Sequence, residues 1–453
     1  MIRTRFAPSP TGWLHIGSVR TALFSWLYAK NHGGEFLIRI DDTDTSRSTQ
    51  EYTESIISAL ENLGLSSDKN IIYQSKRFEI YIDKIEELLN NNFAYYDEIE
   101  ITEKTKGTDL NIQYDNRLNK PNHVIRFKNQ KNKKIIVNDK IHGDINFDPK
   151  TFHDVVILRS NGIPTYNLTS VVDDIEFQIS HIIRGDDHLS NTAVQINLFN
   201  ALNPKIPEFA HLPMIHGKDG KRLSKRHGAV DIKYFLDEGY LSEAIINYLA
   251  RTGWSHGDKE IFSMNELVKL FSLNKVTKSA AIFDYDKLNW LNQYYIKNNS
   301  IENIRKMIMP YLKDANITVK DEKYLEKILE LGIEREFSLK KIAESLSYYF
   351  DENLSYDLEL IKKFNTEKMI NILDKSIAKF EKTDFSKKEN LSNILKYISK
   401  ELNLKFSEVG PVLRLALTGR LKSPSIDDLS FTLGSNKTLD RLNNFKTLIL
   451  KLN

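Results

Sequence analysis

The sequence contains no cysteine in its 453 residues. Disulfides, thiol catalysis, iron–sulfur clusters and cysteine-held zinc are therefore excluded. No uninterrupted apolar run approaches the ~20 residues that a transmembrane helix needs. Residues 1–6 lack both the apolar core of a signal peptide and the Arg- and Ser-rich pattern of a transit peptide. These absences predict a cytoplasmic protein with no membrane partner.

Charges of opposite sign nearly cancel, because 64 Lys and Arg stand against 61 Asp and Glu, a net charge of +3. This balance excludes a polybasic histone-like protein and a polyacidic tail protein. The distribution is uneven: residues 371–453 hold 15 Lys and Arg against 9 Asp and Glu, whereas residues 1–370 carry a net charge of −3. The basic segment favours a polyanion contact, and a solvated lysine-rich surface is the alternative interpretation.

The length and the apolar content, 41% of all residues, predict several domains with sizeable cores. The beginning of the chain predicts a βαβ unit: a strand at 2–6, a loop broken by Pro and Gly, a helix with apolar i, i+3, i+4 spacing at 19–27, and a strand at 36–38. Acidic residues at 41–44 follow the second strand. In open α/β sheets this edge is where ligands bind.

Beyond this unit the chain changes character twice. Residues 75–165 mix helical spacing, polar loops and short strand patterns, and predict an inserted domain. Strand-like runs at 154–158 and 182–188 predict a return to α/β structure. After residue 226, long amphipathic runs with few Gly and Pro predict helices as far as the C-terminus.

Two segments far apart in the chain hold residues suited to a nucleoside triphosphate. In residues 8–18, Gly17 opens a helix N-terminus whose free N–H groups attract phosphate, and His15 can donate to a phosphate oxygen. Neither a dinucleotide fingerprint nor a P-loop occurs there. In residues 217–228, cations flank Ser224 within a Gly-bracketed loop that can stabilise a pyrophosphate leaving group. Taken singly, a structural histidine and an exposed basic loop are the alternatives.

Together the two segments resemble the signatures of class I aminoacyl-tRNA synthetases. Residues 15–18 (HIGS) resemble the HIGH motif, and residues 222–226 (RLSKR) resemble the KMSKS motif. Five further segments narrow the resemblance to the bacterial-type glutamyl-tRNA synthetases. They are RFAPSPTG at 5–12, RIDDTD at 39–44, YQS at 73–75, GIPTY at 162–166 and IRGDDH at 183–188. The resemblance covers essentially the whole chain.

The resemblance implies an α/β fold. We expect a Rossmann-type parallel-sheet catalytic domain with an inserted α+β domain, followed by all-helical stem-contact and anticodon-binding domains. The expected boundaries are 1–74 and 166–225 for the two halves of the catalytic domain, 75–165 for the inserted acceptor-binding domain, 226–300 for the stem-contact domain, and 301–370 and 371–453 for two anticodon-binding subdomains.

The resemblance also implies the reaction and its partners. ATP, accompanied by Mg²⁺, would activate L-glutamate to glutamyl-adenylate with release of pyrophosphate, and the glutamyl group would pass to the terminal ribose of tRNA(Glu). Enzymes of this family generally need bound tRNA before they activate glutamate. Some relatives hold zinc through cysteines in the inserted domain, so no zinc is expected here. We expect a monomer. Glutamylation of tRNA(Gln), alone or as well, and an RNA-binding protein with an inactive nucleotide fold are the open alternatives.

The resemblance assigns site residues position by position. The catalytic residues would be His15 and Lys225. The ATP site would comprise Pro8, His15, Gly17, Ser18, Arg222, Ser224 and Lys225. The glutamate site would comprise Arg5, Ala7, Ser9, Asp41, Tyr166 and Arg184. Four positions depart from the family pattern: Ser18 replaces His, Arg222 replaces Lys, Asp41 replaces Glu, and Ser170 stands where Asn is expected.

The chemistry of these residues suits glutamate. A carboxylate-selective site needs a fixed guanidinium, and Arg5 and Arg184, at the ends of two predicted strands, would point into one crevice. Asp41, near another strand end, suits the ammonium group through a short or water-bridged contact. The alternatives are a surface charge for Arg5 and an ordinary ion pair with Asp186 or Asp187 for Arg184.

The C-terminal helices offer candidates for RNA contact. These are Arg414, Arg420 and Lys422 in the basic segment. Four aromatics among the lysines could stack on bases, although burial in a helical core is the favoured interpretation. They are Phe380, Phe385, Tyr397 and Phe406.

Overall fold

The computed structural model describes residues 1–44, 47–99, 117–131, 134–203, 205–224, 228 and 230–452. These residues form two compact units. The α/β unit comprises residues 1–237 and 242–291, and the helical unit comprises residues 238–241 and 292–453. Every strand of the described residues lies in the α/β unit.

The strands are short, as is usual for α/β proteins. They are β1 Arg3–Phe6, β2 Glu35–Ile40, β3 Ile72–Tyr73, β4 Ala94–Glu98, β5 His123–Phe127, β6 Ile135–Asp139, β7 Gly143–Phe147, β8 Val155–Leu158, β9 His181–Gly185, β10 Glu208–Leu212, β11 Ile215–His216 and β12 Ala281–Ile282.

The helices of the first part of the chain lie between or after these strands. They are α1 Ile16–Asn31, α2 Gln50–Asn62, α3 Phe78–Asn90, α4 Tyr166–Glu176, α5 Leu189–Ala201, α6 Ile232–Asp237, α7 Ser242–Arg251, α8 Met264–Leu270 and α9 Tyr285–Lys297.

A parallel sheet forms the centre of the α/β unit. β1 pairs with β2 and β2 with β3, both in parallel, and β9 pairs in parallel with β10. The amide of Ser180, next to β9, donates to the carbonyl of Arg3, so β9 lies beside β1. The order β3-β2-β1-β9-β10 therefore reverses between β1 and β9, where open α/β sheets hold their ligands at the carboxyl ends of the strands. The predicted Rossmann-type sheet is confirmed.

The inserted segment forms antiparallel pairs. β5 pairs with both β4 and β8, and β6 pairs with β7. The strand predicted at 154–158 exists as β8, but it pairs antiparallel with β5, so the return to α/β structure that we expected from residue 154 begins only after β8. β6 extends the parallel sheet instead, through the pairing of Asp139 with Phe209 of β10.

The helical unit follows the predicted period. Its helices are α10 Ile301–Asp314, α11 Glu322–Ile333, α12 Leu339–Phe350, α13 Leu358–Ile361, α14 Thr366–Phe380, α15 Lys388–Glu401, α16 Phe406–Thr418 and α17 Ile426–Lys451. Gly434, with φ 77°, kinks α17. The short strand β12, which pairs with β11 in the α/β unit, is an exception to the all-helical prediction after residue 226. None of the helices among the described residues is long and apolar enough to cross a membrane.

Candidate active site

A cavity of about 610 Å³ opens at the carboxyl ends of β1 and β9, beside the start of α1. It brings together most residues predicted for the ATP and glutamate sites. The predicted residues that line it are Arg5, Ala7, Pro8, Ser9, His15, Gly17, Ser18, Tyr166, Arg184, Arg222 and Ser224. Asp41 is not among the lining residues, and Lys225 lies outside the described residues.

Backbone hydrogen bonds join the first signature segment to residues 230–232, which follow the second signature. The amide of Ile16 donates to the carbonyl of Val230 at 2.8 Å, and the amide of Ile232 donates to the carbonyl of Leu14 at 2.9 Å. Residues 230–232 thus run antiparallel to the chain just before α1. Ser224 lines the same cavity as the first signature. The segments separated by some two hundred positions therefore meet at one site.

His15 caps α1 and presents its ring to the cavity. Its Nδ1 accepts from the amide of Gly17 at 3.0 Å, so in the neutral ring the proton resides on Nε2. Burial lowers the pKa of His15 below 6.5, and Arg222 lowers it further against the opposing charge of Asp231. His15 is therefore a neutral donor near pH 7. We expected a free backbone N–H group at Gly17. That expectation is wrong, because the Gly17 amide already donates to Nδ1 of His15.

Arg5 is not a surface charge but part of a buried ionic cluster. Its Nε donates to Asp174 at 3.1 Å, and the same carboxylate accepts from Arg39 Nη1 at 2.8 Å. Arg39 Nε in turn donates to Asp41 at 2.7 Å. Burial raises the pKa of Asp41 to about 6, against the opposing effect of Arg39. Each of these two carboxylates forms an ion pair with an arginine at the wall of the cavity.

Asp41 and Ser170, which depart from the family pattern, both contact Arg39. Asp41 accepts from Arg39 with both oxygens, and Ser170 Oγ accepts from Arg39 Nη2 at 3.1 Å. Asp173 completes the cluster by accepting from Gln74 at 2.8 Å and from Tyr81 at 2.9 Å. These side chains hold Arg39 rigidly beneath the cavity.

Arg184 is a buried cation whose partners are all neutral. It donates to the hydroxyl groups of Tyr166 at 3.2 Å and Thr192 at 2.7 Å, and to the side-chain oxygen of Gln195 at 2.8 Å. Within the described part of the chain it has no ion-pair partner, since Asp187 pairs instead with Arg222 at 3.3 Å. Burial lowers the pKa of Arg184, as expected for a cation without a carboxylate. Such a group at a cavity wall is suited to an anionic ligand.

Comparison with known proteins agrees with this geometry. Residues 1–290 match the family model of the catalytic domain of tRNA synthetases class I (E and Q), and residues 303–446 match the anticodon binding domain. The chain is 41% identical to the glutamate–tRNA ligase of Francisella tularensis subsp. novicida (strain U112), over 98% of both chains. It is 41% identical to the glutamate–tRNA ligase of Buchnera aphidicola subsp. Acyrthosiphon pisum (strain APS), over 100% of both.

A solved structure of a glutamate tRNA ligase from Elizabethkingia meningosepticum, in complex with its amino acid, superposes with a TM-score of 0.81 at 33% identity, over 99% of each chain. The chain belongs to the glutamate–tRNA ligase family. Its catalytic domain is that of the class I synthetases, a family whose members use ATP. The predicted family, fold class and enzyme activity are confirmed.

In the helical unit of this enzyme, a second cavity of about 630 Å³ gathers the three cations predicted for RNA contact. Arg414, Arg420 and Lys422 line it together with Arg335 and a single acid, Glu336. Arg420 donates to the carbonyl of Glu344, whereas Lys422 is exposed. This cluster of positive charge in the anticodon binding domain suits a polyanion.

The four aromatics of the basic segment separate into two groups. Phe380 is fully buried and Phe385 packs against it with ring centroids 5.9 Å apart, which agrees with the core interpretation. Tyr397 and Phe406 are 51% and 46% exposed, so the core interpretation is wrong for them. Lys379 lies over the Tyr397 ring at 4.1 Å.

Sequence reasoning missed the buried partners of the cavity arginines Arg5, Arg39 and Arg184. Asp173 and Asp174, two acids inside the apolar pattern of α4, were a usable signal of a buried ionic cluster. His211, a lone histidine in the apolar strand β10, was a weaker one. Among the described residues no group of three or more His, Asp or Glu could hold a metal ion.

Proposed function

We propose that the enzyme activates L-glutamate in the cavity at the ends of β1 and β9. An α-carboxylate oxygen of glutamate attacks the α-phosphorus of ATP, and pyrophosphate leaves, which gives glutamyl-adenylate. A hydroxyl of the terminal ribose of tRNA(Glu) then attacks the activated carbonyl, and AMP leaves. Mg²⁺ enters with ATP.

The main support for our proposal on amino-acid selection is that the positive charge of Arg184 has no negative partner among the described residues. Arg5 already shares the carboxylate of Asp174, whereas Arg184 has only neutral partners at the cavity wall. The side-chain carboxylate of glutamate supplies the missing negative charge, with the hydroxyl of Tyr166 beside it. Glutamine cannot supply that charge, so its binding would leave a buried guanidinium without an anion.

The remaining assignments in the cavity follow from proximity. His15 Nε2 donates to a phosphate oxygen, and the start of α1 at Gly17 and Ser18 receives the nucleotide. Arg222 and Ser224 approach the phosphates from the second signature, and Lys225 keeps its assignment from the sequence. Ala7, Pro8 and Ser9 border the amino acid and the adenylate.

Asp41 has a less direct role in our proposal. Asp41 does not line the cavity and both of its oxygens accept from Arg39, so its contact with the glutamate ammonium would pass through a bridging water. A bridging water also fits the side chain of Asp41, which is one methylene shorter than the Glu of the family pattern.

The helical unit is proposed to hold the tRNA through its cluster of cations. Arg414, Arg420 and Lys422 neutralise phosphates, and exposed Tyr397 and Phe406 are available for stacking on bases. The domain boundaries predicted above, a cytoplasmic location and a monomeric state stay predictions. Charging of tRNA(Gln), alone or as well, stays an alternative, and aminoacylation of purified tRNA(Glu) and tRNA(Gln) in separate reactions would decide it.

Substitution of Arg184 tests the amino-acid assignment. Arg184→Lys keeps the charge but removes the planar fork, so KM for glutamate should rise about ten- to hundredfold while KM for ATP stays constant. Arg441→Lys is the matched control, because Arg441 is equally buried and donates only to backbone carbonyls in the helical unit. Equal effects of both changes on KM for glutamate would refute the assignment.

A further inference from the structure

A buried polar chain lies behind the cavity wall and ends on Arg184. His211 of β10 is fully buried, and its Nδ1 lies 2.6 Å from an oxygen of Asp139. On its other side, His211 Nε2 lies 2.8 Å from the hydroxyl of Thr192 and accepts from Arg184 Nε at 3.4 Å. Neither His211 nor Asp139 lines the cavity, so neither touches substrate.

The hydrogen bonds around Asp139 fix the tautomer of His211. The carboxylate accepts from the backbone amides of Ile141 and His142 at 2.9 Å and from the amide of His211 at 3.0 Å. Burial alone would raise the pKa of Asp139, but the hydrogen bonds from His211 and these amides lower it below its usual value. An ionised carboxylate only accepts, so His211 carries its proton on Nδ1 and has a lone pair on Nε2.

The lone pair on His211 Nε2 determines which group donates in each of the neighbouring hydrogen bonds. Arg184 Nη2 donates to Thr192, the Thr192 hydroxyl donates to His211 Nε2, and Arg184 Nε donates to the same nitrogen. Two nitrogens of the guanidinium, Nε and Nη2, are thereby held behind the wall. The remaining nitrogen, Nη1, points to Tyr166 and the cavity.

We propose that His211, held in one tautomer by Asp139, is a positioning residue that orients Arg184 towards the side-chain carboxylate of the amino acid. The inference rests on the proposed role of Arg184 and deepens it. With the proton on Nε2 instead, a donor would face the donors of Arg184 and Thr192, and the guanidinium would lose its fixed orientation. Burial lowers the pKa of His211, and Arg184 lowers it further against the hydrogen bond with Asp139, so the ring stays neutral near pH 7.

The position of Asp139 gives the inserted segment a part in amino-acid selection. Asp139 ends β6, which pairs with β10 only at Phe209. His142, just beyond, contacts the carbonyl of His211 through its Nε2 at 3.0 Å. A segment of the predicted inserted domain therefore sets the geometry of a side chain on the Rossmann sheet.

Two substitutions of His211 separate positioning from packing. In His211→Gln the amide oxygen reaches the place of Nε2 and still accepts from Arg184, whereas in His211→Asn the amide reaches only the place of Nδ1. We expect His211→Asn to raise KM for glutamate at least about tenfold, with KM for ATP unchanged, and His211→Gln to recover most of that loss. His181→Gln, at a buried histidine of β9 outside the cavity, is the control for general destabilisation. Equal KM values in the two His211 variants would overturn the proposal.

A measurement on the unmodified enzyme tests the tautomer directly. Long-range ¹H–¹⁵N correlation of histidine-labelled protein should give a neutral ring protonated on Nδ1, assigned by its absence from His211→Gln. In Asp139→Asn the signal should shift to the other tautomer or to a mixture, with a raised KM for glutamate. A ring protonated on Nε2 in the unmodified enzyme would overturn the proposal. Failure of the proposed function itself would appear differently, as no glutamate-dependent exchange by the unmodified enzyme.

Discussion

Replacement of His15 by Asn separates the two functions that the structure gives this side chain. The amide oxygen of Asn can take the place of Nδ1 and accept from the Gly17 amide, and Asn is among the preferred N-cap residues. The Nε2 donor to phosphate is lost. We therefore expect α1 to keep its cap and the enzyme to keep its stability, while the transition state for adenylate formation loses one hydrogen bond to a charged oxygen.

The magnitude follows from the chemistry of that bond. A hydrogen bond to a charged group contributes about 1.5–3 kcal/mol, which corresponds to a fall of about 10- to 150-fold in the rate of ATP–pyrophosphate exchange. Unfolding in urea should be unchanged. His15→Gln is the converse variant, because its amide can donate from the ε position but loses the cap, which costs about 1 kcal/mol of stability.

The variants His15→Asn and His15→Gln together test whether His15 acts on ATP or only caps α1. Exchange at the full rate by His15→Asn would show that Nε2 does not act on ATP. Equal losses of rate and stability in both variants would show that His15 acts only as the cap of α1.

Three further predictions concern other parts of the molecule. Because the pKa of His15 lies below 6.5 in the free enzyme, kcat/KM for the exchange should be constant above that pH and should fall only below it, where protonation of Nδ1 breaks the hydrogen bond from Gly17; an apparent midpoint above 6.5 would contradict this. Asp174→Asn removes a carboxylate from the buried ionic cluster and should cost about 3–5 kcal/mol of unfolding free energy in urea, with loss of less than 1 kcal/mol as the contrary result. Lys422→Ala should weaken tRNA binding and reduce the slope of log K against log salt by up to about 0.9, and an unchanged slope would exclude a phosphate contact at this exposed lysine.

The sequence predicted the features that depend on neighbouring residues. We could predict the initial βαβ unit, the helices after residue 226 and the two signatures, because periodicity and motifs depend only on residues close together in sequence. Their meeting in one cavity followed from family resemblance. The pairing of residues 230–232 with the chain before α1 explains that meeting physically, and no local pattern contained it.

Contacts between distant residues were beyond sequence reasoning. The position of Arg5 at a strand end could be predicted. Its partner Asp174 could not, because it lies 169 positions away in the sequence. The strand at 154–158 was predicted, but its pairing with β5 depends on tertiary packing. Likewise His211 and Asp139 are 72 positions apart, and only their contact fixes a tautomer. Exposure of Tyr397 was equally unpredictable, because helical spacing alone does not tell which face is covered.

Selection of glutamate by Arg184 can be measured by ATP–pyrophosphate exchange with and without tRNA(Glu), and with glutamine in place of glutamate. We expect exchange with glutamate in the presence of tRNA(Glu) and none with glutamine, because only glutamate supplies a carboxylate to Arg184. Exchange that is as fast with glutamine, or no exchange with glutamate under either condition, would contradict it.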